Sequence, residues 1–205
     1  MTWKRTIFTC AAAVAAVVLT AGCSSGDSGS QHPAEHGSST TASSPDHSDT
    51  DVGFAENMIP HHQQAIEMSD IMLAKQGIDP RVIDLATKIK AAQGPEIKQM
   101  QGWLSQWGTP PTPDEGHGGH DMEGNGGDSM GMMSPEKMTA LKNAQGVEAS
   151  KLFLNGMIAH HEGAISMAQA EIGNGQFQPA IDLAKTIGTT QQQEIETMRS
   201  ILATL

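Results

Sequence analysis

From residue 51 to the C-terminus, apolar side chains recur every three to four positions, and glycine and proline breakers cut the run into four amphipathic segments. The first covers residues 51–76 and ends at Gly77, which suits the C′ position. Asp79-Pro80 then supplies an N-cap and a first-turn proline for the second, which runs to about Trp107, where Gly108-Thr109-Pro110-Pro111 stops it. Gly94-Pro95 inside that segment predicts a bend. Ser134-Pro135-Glu136 opens the third segment, and Gly173-Asn174-Gly175 closes it. Pro179 stands near the start of the fourth, which reaches Leu205. Pro60 is harmless if the first helix begins at Asn57 and a kink if it begins at Asp51. No stretch alternates with the period of a strand.

The four segments are one hairpin written twice. Met58-Ile59-Pro60-His61-His62 and Ala65-Ile66-Glu67-Met68 return 99 residues later as Met157-Ile158-Ala159-His160-His161 and Ala164-Ile165-Ser166-Met167. Ile83-Asp84-Leu85-Ala86, Gln93, Glu96-Ile97 and Met100 return at an offset of 98 as Ile181-Asp182-Leu183-Ala184, Gln191, Glu194-Ile195 and Met198. Neither hairpin can bury its apolar stripe alone, so the expected fold is all-α: an antiparallel four-helix bundle over residues 51–205. Tyr is absent and aromatics are scarce, which leaves Ile, Leu, Ala and Met to fill the core.

At about 100° per residue, Met58, His61, His62, Ala65, Ser69 and Met72 share one face of the first helix, while Glu67 points away. Ile89, Gln93, Glu96, Ile97, Met100 and Leu104 share a face of the second. The other hairpin repeats this with His160, His161 and Met167 against Gln191, Glu194 and Met198. A buried, unpaired carboxylate costs several kcal/mol or more. Glu96 therefore pairs with a protonated His61 or His62, binds metal beside them, or reaches water at a bundle end. Imidazole and carboxylate from facing helices build metal sites in bundle cores, and thioethers shift the preference towards copper. The candidate ligands are His61, His62, Glu96 and Met100 in one copy and His160, His161, Glu194 and Met198 in the other. Two plainer readings stand beside this one: a His–Glu hydrogen-bond network, and methionine as ordinary core filler.

The flanking segments add a location and a second metal-capturing element. Lys4 and Arg5, the apolar run from Ile7 to Thr20 and Leu19-Thr20-Ala21-Gly22-Cys23 read as a signal peptide over residues 1–22 ending in a bacterial lipobox, with Cys23 the lipidated residue. Residues 23–50 are Ser-, Thr-, Gly- and Asp-rich and read as a disordered tether whose His32, His36 and His47 are incidental to the spacer or capture metal weakly. Residues 108–134 form a flexible Gly-rich loop carrying His117, His120, Met122, Met130, Met132 and Met133, a set suited to secondary metal capture. Cys10 leaves with the signal peptide, so no disulfide is expected. The formal charge is −11 and becomes −13 once Lys4 and Arg5 are removed, 10 basic residues against 23 acidic. Such a chain does not suit nucleic acid, and it suits cations outside the cytoplasm.

Met-Ile-x-His-His with Ala-Ile-x-Met, then Leu-Ala, Gln-x-x-Glu-Ile and a later Met, resembles the bacterial domain of unknown function 305 family over most of residues 51–205. The resemblance implies a ferritin-like helical bundle outside the cytoplasm, often on a lipoprotein, with copper binding and tolerance in part of the family. Ala159 in place of Pro60, and Ser150 where the first copy has Asp51, are local differences between the copies. The expected function is a lipid-anchored, extracytoplasmic metal-binding protein that sequesters or hands on copper or another divalent transition metal. Its partners would be metal ions and the membrane, with a homo-oligomer also open. The alternatives are a metal-free structural or adaptor bundle and a ferritin-like metal-dependent oxidase. The oxidase is disfavoured by a single repeated core Glu per hairpin and by the lack of Glu-x-x-His pairs; no nucleophile set is present either.

Overall fold

The computed structural model of the protein describes residues 46–109 and 130–205. The leader, Cys23, most of the tether, and His117, His120 and Met122 lie outside the described residues. The described residues form five helices and no strand: α1 Asp49–Leu73, α2 Pro80–Trp107, α3 Pro135–Asn143, α4 Gly146–Asn174 and α5 Gln178–Leu202. None is long and apolar enough to cross a membrane.

Two of the three prolines of the first hairpin sit inside unbroken helices, Pro60 in α1 and Pro95 in α2, while Pro80 opens α2. Asp79 caps α2 as its sequence predicts, accepting from Arg81 N at 2.9 Å. Gly108 ends α2 with a left-handed φ of 77°. The expected third helix is in fact two, so four predicted helices are five. Ala144 and Gln145 are extended, and Gly146 takes a φ of 54° that favours glycine. Lys75 Nζ donates to the carbonyls of Lys142 and Ala144, both at 2.8 Å, which satisfies the end of α3 from outside. That donor is remote in sequence, so local pattern does not show the break.

The expected helix start at Asp51 moves to Asp49 because Ser48 is the N-cap and Asp51 the third helical residue of a capping box. Asp51 accepts from Ser48 N at 2.6 Å and also from Gln176 N at 3.1 Å and Phe177 N at 2.9 Å. One buried carboxylate therefore caps α1 and anchors the turn into α5, whose N-cap has no side-chain bond of its own. Burial opposes its charge, but the bonds from Ser48, Phe177 and Glu171 outweigh burial and bring its pKa down to about 2. Glu171, also buried, lies against it; burial and then Asp51 raise its pKa to about 8. As a carboxylate Glu171 finds no donor among the described residues. Protonated, it donates to Asp51. At the same end His47 stacks on Trp107 at 4.6 Å, and Trp107 meets Phe177 edge-on at 5.2 Å.

α1 packs chiefly on α2, and α4 on α5, while α1 and α4 join the two hairpins. The core falls into two apolar clusters. Phe54, Met58, Ile97, Met100 and Leu104 share one with Ala164, Ala168, Leu183 and Ile187. Met68, Met72, Leu85 and Ile89 share the other with Phe153, Met157, Ile195 and Met198. Burying each Leu, Ile or Met side chain contributes about 1.5–3 kcal/mol, so these clusters hold the hairpins together. Buried among the same helices are His61, His62, Gln93, His160, His161 and Gln191.

Candidate metal centre

The Met-Ile-x-His-His blocks lie near the middle of α1 and α4, and adjacent histidines on a helix diverge by about 100°. They therefore reach different partners. The rings of His61 and His160 lie against each other across the α1–α4 interface, with centroids 3.7 Å apart. His62 and His161 turn to the following helix of their own hairpin. His62 Nε2 donates to Glu96 Oε2 at 2.7 Å, and His161 Nε2 donates to Glu194 Oε2 at 2.7 Å. All four imidazoles are fully buried, while Glu96 and Glu194 keep 18% and 15% of their side-chain surface. Each carboxylate thus pairs with a histidine and touches water at once, which meets the cost that burial alone would impose.

The two central rings are neutral at pH 7. Burial lowers the pKa of His61 to about 4, against the Met130 carbonyl, which raises it; the neighbouring His62 and His161 lower it further. Burial also holds His160 well below its ordinary value, helped by His61, His161 and His62. Neutral imidazole is the form that ligates metal.

Unpartnered polar atoms concentrate here. Nδ1 of His61, His62, His160 and His161, Nε2 of His160, both amide atoms of Gln93 and Oε1 of Gln191 are buried without a hydrogen-bond partner among the described residues. Native interiors leave few such atoms. A neutral histidine that donates through Nε2 keeps a lone pair on Nδ1. A carboxylate on one ring nitrogen with the other free is the arrangement that outer carboxylates impose on metal-binding histidines. Among the described residues no three His, Cys, Asp or Glu side chains converge as a ligand set. A closed zinc site is therefore not preformed. Met58 and Met157 stand one turn before the histidines, and a soft ion served by imidazole and thioether fits this donor set best.

The sequence candidates separate accordingly. His61 and His160 meet each other, and His62 and His161 meet Glu96 and Glu194. Met100 and Met198 are fully buried in different apolar clusters. Glu67 faces away, 3.0 Å from Lys142 Nζ. Asp51 is committed to its caps. Of the loop residues, Met130, Met132 and Met133 are described, with Met133 buried on the core. Sequence reasoning missed Gln64, whose Nε2 donates to Met133 O at 2.9 Å and whose Oε1 accepts from Met133 N at 2.7 Å. The signal was a mismatch between the copies, Gln64 against Gly163. It also missed Glu171, which stands where the first copy has Met72.

No curated protein sequence matches the chain. Solved structures do. A DUF305 fragment from Deinococcus radiodurans is 30% identical, with a TM-score of 0.68 over 78% of this chain and 100% of that one. A DUF305 protein from Streptomyces coelicolor is 32% identical, with a TM-score of 0.65 over 75% and 91%. CopM in its Cu(II)-bound form is 32% identical, with a TM-score of 0.62 over 75% and 96%, and CopM has also been solved with Cu(I) and with Ag. The model of the domain of unknown function DUF305 matches residues 51–202, a span that holds both histidine repeats, and the chain belongs to that family.

Proposed function

We propose that the protein binds copper in the histidine layer and sequesters it, or passes it on, at the outer face of a membrane to which Cys23 is lipid-anchored. The observation that carries this reading is the abutting pair His61 and His160, neutral and buried, among ring nitrogens with no hydrogen-bond partner among the described residues. CopM, similar over most of this chain, has been solved with Cu(I), Cu(II) and Ag bound. In this reading α1, α2, α4 and α5 are an antiparallel four-helix core of ferritin type. His61 and His160 would hold the ion together with a methionine thioether, and Glu96 and Glu194 orient the flanking His62 and His161. The bound ion supplies a Lewis-acidic, redox-active centre. The chain's own part is to desolvate it, to keep His61 and His160 unprotonated and to offer soft sulfur. Binding rather than catalysis is favoured, because both repeated carboxylates are engaged by imidazole. The leader, lipobox and acidic charge support the location.

Calorimetric titration of the full mature chain with Cu(I), Cu(II) and Zn(II) tests this. Tight Cu(I) binding that disappears in His61→Ala/His160→Ala is expected. Equal affinity in wild type and double variant would sink the reading. A purified protein that is metal-free and gains no thermal stability from copper would support the plain structural bundle instead.

A further inference from the structure

Three of the four buried histidines have a fixed outer partner on Nε2. For His62 and His161 the partner is a carboxylate of the same hairpin. For His61 it is the main-chain carbonyl of Met130, which accepts from Nε2 at 2.9 Å and belongs to neither hairpin. That carbonyl sits on a short strap, residues 130–133, and the strap is seated by three independent features. Gln64 of α1 clamps both main-chain polar groups of Met133. Gly163 of α4 lies under Met130, and a Cβ at 163 would collide with the Met130 carbonyl. Gly131, at a φ of 72°, passes so close to the Ala159 carbonyl that a side chain there would collide too. Gln64 and Gly163 are equivalent positions of the repeat. The copies differ at the place where one must grip the strap and the other must make room for it. Among the described residues neither nitrogen of His160, the counterpart of His61, makes a hydrogen bond of ordinary geometry.

We propose that the strap is a positioning element of the histidine layer: the Met130 carbonyl fixes the orientation and tautomer of His61, as Glu96 and Glu194 do for their histidines, so residues 130–133 tune the site. Nε2 keeps the proton, and Nδ1 is left as the ligating nitrogen. The two central imidazoles are then inequivalent, one held and one free. This rests on reading the pair as a metal site.

Two variants unseat the strap by different routes without touching a histidine. Gln64→Ala removes the clamp. Gly163→Ala pushes the carbonyl away while improving the helix that carries it, since Ala is the better helix former. Nitrogen NMR of the imidazoles in the metal-free full chain is expected to show His61 as the Nε2–H tautomer in wild type and as a tautomer mixture in both variants. Competition titration with Ag(I) is expected to show affinity about 10–100-fold weaker in both, the usual loss when an outer partner of a ligand is removed, with helicity by circular dichroism unchanged. An unaltered His61 tautomer in both variants overturns the proposal. So does an altered tautomer with Ag(I) affinity equal to that of wild type. If wild type itself takes up no Ag(I) while the tautomer shifts in both variants, positioning by the strap stands and the metal reading falls.

Discussion

Replacing Glu171 with Gln is expected to remove a proton that folding takes up. Glu171 is buried, and its pKa rises from 4.5 to about 8 through burial and then through Asp51. Between those values the unfolded chain has lost the proton and the folded chain keeps it. Stability therefore falls as pH rises through this window, by at most about 1.4 kcal/mol per pH unit. From pH 6.5 to 8 the loss comes to about 1–2 kcal/mol, because the folded group itself begins to ionise near its pKa. Gln is the same size, and its amide can donate to Asp51 in place of the carboxylic O–H. A larger residue would meet Gly175, which packs directly on this side chain. The assay is urea unfolding of the metal-free protein at pH 6.5, 7.25 and 8, with wild type and E171Q side by side. Wild type should weaken across the series, E171Q should stay nearly flat over the same range, and the variant's relative stability should rise with pH. Parallel lines for the two proteins would show that Glu171 is ionised in the fold, and the account of the Asp51–Glu171 pair would be wrong.

Asp51→Ala strips an acceptor from Ser48, Gln176 and Phe177 together and should cost about 3 kcal/mol in denaturant unfolding; a loss below about 1 kcal/mol would mean that water replaces it freely. His61, with a folded pKa of about 4 against 6.5, and His160, lowered in the same direction, are neutral in the fold while the unfolded chain protonates first. The stability they contribute is complete above pH 6.5 and declines as pH falls towards 4, so His61→Gln/His160→Gln should flatten the acid limb of a thermal-melt series. His62→Ala and His161→Ala break equal 2.7 Å pairs and should destabilise equally within about 0.5 kcal/mol. His61→Ala should exceed His160→Ala, since of the two His61 alone makes a hydrogen bond of ordinary geometry among the described residues; the reverse order in chemical denaturation would contradict the asymmetry.

The features that follow a helical period were legible in the sequence. Met58, His61, His62, Ala65, Ser69 and Met72 are all buried, as one face of α1 requires, and Glu67 is turned away. The pairing of Glu96 with a histidine was among the outcomes that the cost of burying a carboxylate leaves open. What could not be read depends on contacts between segments far apart in the chain. The end of α3 is set by Lys75, the cap of α5 by Asp51, and the partner of His61 by a backbone carbonyl, which has no residue signature at all. Which histidine of each pair faces the other hairpin also waited on the structure, because neighbours about 100° apart are both compatible with the same apolar stripe.

The abutting rings of His61 and His160 have an evolutionary reading. A residue pair drawn one from each repeat, with matching His–Glu pairs on either side, is what two copies of a single hairpin would form by associating across a twofold axis. The chain is, in effect, a dimer joined end to end, and joining replaces a bimolecular encounter with a local concentration in the millimolar range. It also releases the halves from identity. A free homodimer must place the same residue at both equivalent positions, whereas the fused chain carries Gln64 at one and Gly163 at the other, and residues 130–133 meet both.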